Sequence, residues 1–250
     1  MAIENWVARH LDELTEFRRD LHRNPELLYD VHRTAGEVAR LLREAGVDEV
    51  HEGIGKTGVV GVIRGQSNTS GRTIGLRADM DALPIVEETG AEWASTIPGK
   101  MHACGHDGHT AMLLGAAERL ATERNFDGTV VFLFQPDEEH GSGARRMIEE
   151  GVLERFPIDE VYAIHNLPGA PMGQVSTRSG LICNSESLFE IKIRGQGGHA
   201  SMPHVGVDAI TVGAELVTAL QTLVARKPPA AAGAAVSVTE LLPDGQRHVL

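Results

Sequence analysis

Cysteine is scarce in this chain: Cys104 and Cys183 are the only two in 250 residues, and they do not form a C-x-x-C pair. That spacing argues against a disulfide-stapled scaffold and against a thioredoxin-like redox motif. Positive charge is thin as well. Twenty-three Lys and Arg face 35 Asp and Glu, a formal net charge of −12, so the basic footprint of a nucleic-acid binder is missing, as is a polybasic membrane-surface cluster. No segment approaches the ~20 consecutive apolar residues of a membrane span. The first residues, "MAIENWVARHLDELTEFRRDLHRNPE", read as a charged amphipathic helix without the apolar run of a signal peptide. The expectation is a cytoplasmic protein whose thiols stay reduced and free to bind metal. No internal repeat is present, and low complexity is confined to the short linker "RKPPAAAG" (226–233).

What is present is enough apolar residue for an ordinary core, 42%. Apolar spacing predicts helices over 4–22 and 33–45, a strand over 57–65, and then an alternation. Strands are expected at 72–79, 128–136 and 160–166, with helices at 108–123 and 143–153 between them. Strands alternating with helices of this length point to an α/β domain with a mainly parallel sheet, assigned to residues 1–184. From 185 the texture changes. A half-exposed strand in "SLFEIKIRGQGGHASMPH", a strong helix in "VDAITVGAELVTALQTLVA" and a strand in "AAVSVTELL" predict the start of a separate α+β domain, 185–250.

Ligands of open α/β sheets bind beyond the carboxyl ends of the strands, and here those ends are chemically loaded. One strand runs into Asp79 and Asp81, the next into Asp137, Glu138, Glu139 and His140, and a third ends on His165. "MHACGHDGHT" adds His102, Cys104, His106 and His109 just before a helix. Singly, each carboxylate reads as a helix cap or solvated charge, and the Cys/His stretch as readily a polar loop as a ligand set. Together they suggest a metal site. Imidazole, thiolate and carboxylate suit zinc, manganese, cobalt or nickel. Adjacent glutamates allow one to hold metal while the other moves a proton; in an extended chain Glu138 and Glu139 point to opposite sides. Two motifs are decoys. "GIGKTG" (53–58) resembles a phosphate loop but opens a strand rather than a helix, so it reads as a tight turn. "HGSGA" lacks the first glycine of a nucleophile elbow.

At "RADMDALP", "MHACGHDGHTAMLLGAA", "FQPDEEHGSGA", "AIHNLPG" and "GQGGHASMPHVGVDAI" the sequence resembles the co-catalytic metallopeptidase family of aminoacylases, hippurate hydrolases and indole-acetyl-amino-acid hydrolases. The resemblance implies an N-acyl amino acid amidohydrolase: a two-metal α/β catalytic domain with an inserted α+β lid through which the complete protein forms a homodimer. It implies metal ligands at Cys104, His106, Glu139 and His165, a general base and acid at Glu138, and an orienting role for Asp81 behind the ligands. His199, on the lid, would bind substrate or stabilise the oxyanion. His102 and His109 fall to supporting or helix-start positions.

The implied reaction uses two divalent ions to polarise an amide carbonyl while Glu138 takes a proton from water and returns it to the departing amino acid. Members of the family carry a further histidine ligand after the lid. Here the chain stops within the lid, and His248, just after the second expected lid strand, stands away from the catalytic sheet. The expectation is therefore a chain truncated at its C-terminus, with a non-catalytic metal-binding or dimerisation fragment as the alternative.

Overall fold

A computed structural model describes residues 5–183, 185–226 and 234–243. His248 and most of the 226–233 linker lie outside the described residues. The chain divides into two compact units, Met1–Gly173 and Gln174–Leu250.

The first unit opens with two amphipathic helices, α1 (Asn5–Arg23) and α2 (His32–Glu44). A hairpin follows, β1 (Glu49–Ile54) and β2 (Gly58–Arg64), then β3 (Thr73–Asp79), α3 (His106–Glu123) and β4 (Thr129–Gln135). Two short helices, α4 (Gly143–Glu149) and α5 (Val152–Arg155), lead into β5 (Glu160–Ala163). A single helix was expected over 143–153. It breaks because Gly151 takes the left-handed conformation at φ 81°, which glycine adopts without a Cβ clash.

The sheet order is β1-β2-β4-β3-β5. β3 pairs parallel with both β4 and β5, whereas β2 pairs antiparallel with β1 and with β4. Four of the five strands thus run the same way, in the α/β arrangement expected. β1 went unread in the sequence because "EVHEGI" is an edge strand with polar, exposed residues in place of an apolar run. The "GIGKTG" segment is the turn joining β1 to β2, with Gly53, Gly55 and Lys56 all at positive φ.

β4 shows why the sheet is sandwiched. Val130, Phe132 and Phe134 pack on one face with Val38 and Leu42 of α2 and Leu113, Leu114 and Ala117 of α3. Val131 and Leu133 pack on the other with Met147, Val152 and Phe156. A strand buried on both faces reads as a continuous apolar run, because alternate side chains enter two different cores. Burying a Phe such as Phe132 contributes about 1.5–3 kcal/mol. The outcome is a rigid three-layer frame whose strand ends hold the polar residues.

The second unit contains a short 3₁₀ turn, Pro203–Val205, and helix α6 (Ala209–Arg226). Asp208 caps α6, accepting from the backbone N–H groups of Ile210 and Thr211. Neither expected lid strand forms among the described residues. What remains is an isolated antiparallel bridge between Gln196 and Val207. A half-exposed strand needs a partner ladder for its N–H and C=O groups, and a lone extended segment in water does not hold that register. By length and composition alone α6 could cross a membrane, though Glu215 interrupts it.

Candidate active site

Asp79 closes β3, Asp81 follows two residues later, and Asp137, Glu138 and Glu139 leave the end of β4. The parallel pairing of Asp79 with Gln135 puts these ends side by side. α3 starts at His106, directly behind a left-handed Gly105 (φ 99°) that lets the chain turn from the Cys104 loop into the helix.

Asp81 organises this edge. Its carboxylate is fully buried and accepts from the backbone N–H of Glu138 at 3.0 Å and of Glu139 at 3.2 Å. Its main-chain carbonyl accepts the Nδ1–H of His106 at 2.7 Å. In the neutral ring that bond places the lone pair on Nε2, as second partners of ligating histidines do. The Nε2 atom is buried and has no hydrogen-bond partner. Around it stand Asp79 Oδ2 at 3.6 Å, Glu138 Oε2 at 3.8 Å and Glu139 Oε1 at 3.8 Å. Glu139 Oε1 is likewise buried and unpartnered.

Nearby, Cys104 Sγ lies 3.4 Å from His165 Nε2. His165 donates from Nδ1 to the carbonyl of Asn166 at 2.7 Å, so its Nε2 too is an acceptor. Ligand atoms of Cys104, His106 and His165 lie within 4.8 Å of one another, and so do those of His106, Glu138 and Glu139. Four of the anticipated ligand positions therefore converge on one region, with His106 common to both groups.

The electrostatics follow from this crowding. Burial, reinforced by the charges of Glu139, Glu138 and Asp79, pushes the Cys104 thiol up to about 12. Burial also raises Glu139, with the Glu138 charge adding to it. His106 is raised although burial opposes it, because Asp81, Asp79 and Glu139 favour its cationic form. A cluster of acceptors and negative charge that holds on to protons is one a divalent cation would relieve. The two buried, unpartnered atoms facing each other across 3.8 Å make the residues fit such an ion.

One detail of the sequence reading is corrected. Glu138 and Glu139 do not point to opposite sides: both carboxylates reach the same imidazole. The segment is a turn, closed by the Gly141 N–H on the Glu138 carbonyl at 2.7 Å, and Asp137 enters it at φ 49°. The strand alternation stops at Gln135. A distinction survives in exposure, since the Glu138 side chain is 38% exposed and that of Glu139 18%. His199 belongs to the second unit and is exposed. The Ser201 backbone N–H donates to its Nδ1 at 3.1 Å, which leaves Nε2 as the ring's N–H donor.

Sequence reasoning missed a buried clamp beside the site. Asp107 accepts from Arg18 Nε at 2.9 Å and His22 Nδ1 at 2.8 Å, tying α1 to the first turn of α3. His22 Nε2 reaches Glu87 at 3.3 Å. The signal available was the run "RRDLH" within an otherwise amphipathic helix, where Arg18 and His22 share a face at i, i+4. Despite burial, the bonds from His22 and Arg18 hold Asp107 down to about 2, against 3.8 ordinarily. A depressed acid stabilises the fold at pH above its unfolded value and loses that contribution as pH falls through the folded one. Asp107→Asn is therefore expected to remove about 2 kcal/mol of stability near neutrality. The gap to the parent should close between pH 4 and pH 2, measured by urea unfolding at each pH.

The profile of peptidase family M20/M25/M40 matches residues 75–245, which include Asp79, Asp81, Cys104, His106, Glu138, Glu139, His165 and His199 but not the clamp residues Arg18 and His22. The chain belongs to that family. Among curated members, an N-acetylcysteine deacetylase of Bacillus subtilis is 40% identical over 91% of this chain and 59% of its own length. A hippurate hydrolase of Campylobacter jejuni is 44% identical over 94% of this chain and 61% of its own. This M20 chain thus spans about three fifths of the length of the curated relatives it matches. Among solved structures, a putative aminohydrolase from Staphylococcus aureus superposes with a TM-score of 0.74 at 37% identity, covering 97% of this chain and 64% of that one. A dinuclear metal-binding M20 peptidase of Bacillus subtilis gives 0.65 at 40% identity, over 69% and 48% of the two chains. What these neighbours share with the chain is the α/β fold.

Proposed function

We propose that this chain carries the metal-binding part of a hydrolase that cleaves the amide bond of N-acyl amino acids. The observation that supports it most directly is the pair of buried, unpartnered acceptors, His106 Nε2 and Glu139 Oε1, with Glu138 beside them. Cys104, His106, Glu139 and His165 would hold two divalent ions, of zinc, manganese, cobalt or nickel, and the dinuclear M20 relative supports that number. Bound there, such ions supply Lewis-acid polarisation of a carbonyl and a water acidified to near neutrality.

The rest falls to the side chains. Glu138, the more exposed of the two glutamates, takes the proton from water as it attacks and delivers it to the departing amine. Asp81 keeps Glu138 and Glu139 aimed through their backbone N–H groups. His199, donating from Nε2, stabilises the developing oxyanion or holds the substrate. The second unit serves as lid and as the homodimer surface. We read the protein as cytoplasmic, with no nucleic-acid or membrane partner, α6 being a layer helix of the lid.

The test is release of free amino acid from hippurate and N-acetylcysteine by the purified chain, with and without chelator. Turnover abolished by chelator and restored by added Mn²⁺, Zn²⁺, Co²⁺ or Ni²⁺ is the expected result. Metal uptake without turnover across an acyl-amino-acid panel would mark a non-catalytic metal-binding fragment. Absence of metal uptake would overturn the reading.

A further inference from the structure

Three polar groups at this edge have no part in the reaction as described: Asp79, His109 and Asn166. Asp79 and His109 are almost completely buried, and they form a file of hydrogen bonds. Arg77 and His109 anchor the Asp79 carboxylate, His109 Nδ1 donating to Oδ1 at 2.7 Å. The other ring nitrogen, Nε2, lies 2.6 Å from Asn166 Oδ1 and is approached by the Asn166 backbone N–H at 3.2 Å. The Asn166 carbonyl then accepts the Nδ1–H of His165 and so turns His165 Nε2 towards Cys104.

This file spans a gap in the scaffold. The β5 ladder ends at Ala163, two residues short of His165, and both His165 and Asn166 are exposed. Asn166 is nonetheless packed: a Cβ built on Gly105 would come within 2.5 Å of its Oδ1, so its side chain occupies the space above the glycine. Asp79, His106 and His109 also satisfy the spacing of a ligand group. However, Nδ1 of His109 donates to Asp79 and the lone pair on Nε2 is taken up by the Asn166 backbone N–H at 3.2 Å, so neither nitrogen is open to a cation.

We infer that Asp79 and His109 are positioning residues: they fix His165 through Asn166 and thereby set the affinity of the Cys104–His165 half of the site for a divalent ion. The inference rests on the metal-binding reading above. Outer partners of this kind typically change metal affinity 10- to 100-fold.

The experiment is a Co²⁺ titration of the chelator-treated chain, following the thiolate-to-cobalt charge-transfer band in the near ultraviolet, with Cys104→Ser assigning the band. For His109→Leu and for Asn166→Ala the Kd for Co²⁺ is expected to rise about 10- to 100-fold. The double variant should be no weaker than the worse single one, because both act through one file. Asn166→Ala, at an exposed position, should unfold in chelator at the parent's temperature, and it decides the matter alone if His109→Leu does not fold. A saturable band with parental Kd in both variants would overturn the positioning role while leaving the metal site standing. Losses that add in the double variant would also overturn it, since they would mean two unconnected defects. A parent chain with no cobalt–thiolate band would instead remove the metal reading itself, and this inference with it.

Discussion

Replacing Glu138 by glutamine is expected to lower kcat for hippurate hydrolysis about 10²- to 10⁴-fold, the range a positioned general base supplies, or roughly 3–5 kcal/mol of barrier. The substitution keeps the size of the side chain and the backbone N–H that Asp81 accepts at 3.0 Å. What it removes is the capacity to take a proton from water and pass it to the leaving amine. KM should change little and bound metal should stay at the parent level, because in this reading Glu139 is the ligand and Glu138 is not. Steady-state kinetics with metal analysis of the same preparation check both halves of the statement. A variant that keeps its kcat would take the base assignment away from Glu138. One that loses metal together with kcat would make Glu138 a ligand, which its 3.8 Å approach to His106 Nε2 would accommodate.

The different fates expected of the two glutamates mark where sequence reading stops. "DEE" at the end of an apolar strand located the chemistry, because charge placed there has no solvated helix face to occupy. Their common orientation was not legible, since it depends on Asp137 adopting φ 49° and on the turn closed by Gly141. The α/β frame was readable in "GTVVFLFQP", whose unbroken apolar run permits little other than a strand buried on both sides. The edge strand β1 was not, because its polar residues carry no periodic signal. Cys104, His106 and His165 could be singled out by residue type and by resemblance. The roles of Asp79 and His109 could not, because a buried carboxylate–imidazole pair depends on two elements meeting across 30 residues of chain. The i, i+3 spacing of His106 and His109 was the one local hint that both face the same side of α3. The lid strands failed for a related reason: alternation reports a face, and a face becomes a strand only where a neighbouring ladder exists.

Asp81→Asn is the second substitution expected to have a large effect, although the residue touches no substrate. The parent carboxylate has an oxygen for each of two N–H donors, Glu138 at 3.0 Å and Glu139 at 3.2 Å. An amide offers one oxygen and one NH₂, so either Glu138 or Glu139 must then face a donor with its own donor. In a site with no exposed surface at Asp81, an unmet N–H costs about 1–3 kcal/mol, and the turn can escape that cost only by rotating. Rotation moves the Glu139 carboxylate off the His106 Nε2 axis, whereas the bond from His106 Nδ1 to the Asp81 main-chain carbonyl persists because the substitution does not touch it. The expected result is a divalent-ion Kd raised about 10- to 100-fold, with kcat falling at subsaturating metal and recovering in part as metal is added. Competition titration against a chromophoric chelator gives the Kd, and hippurate turnover at rising metal gives the recovery. Parental affinity in Asp81→Asn would mean that the turn holds its glutamates through its own Gly141 closure, with Asp81 acting only as the buried counter-charge of His106.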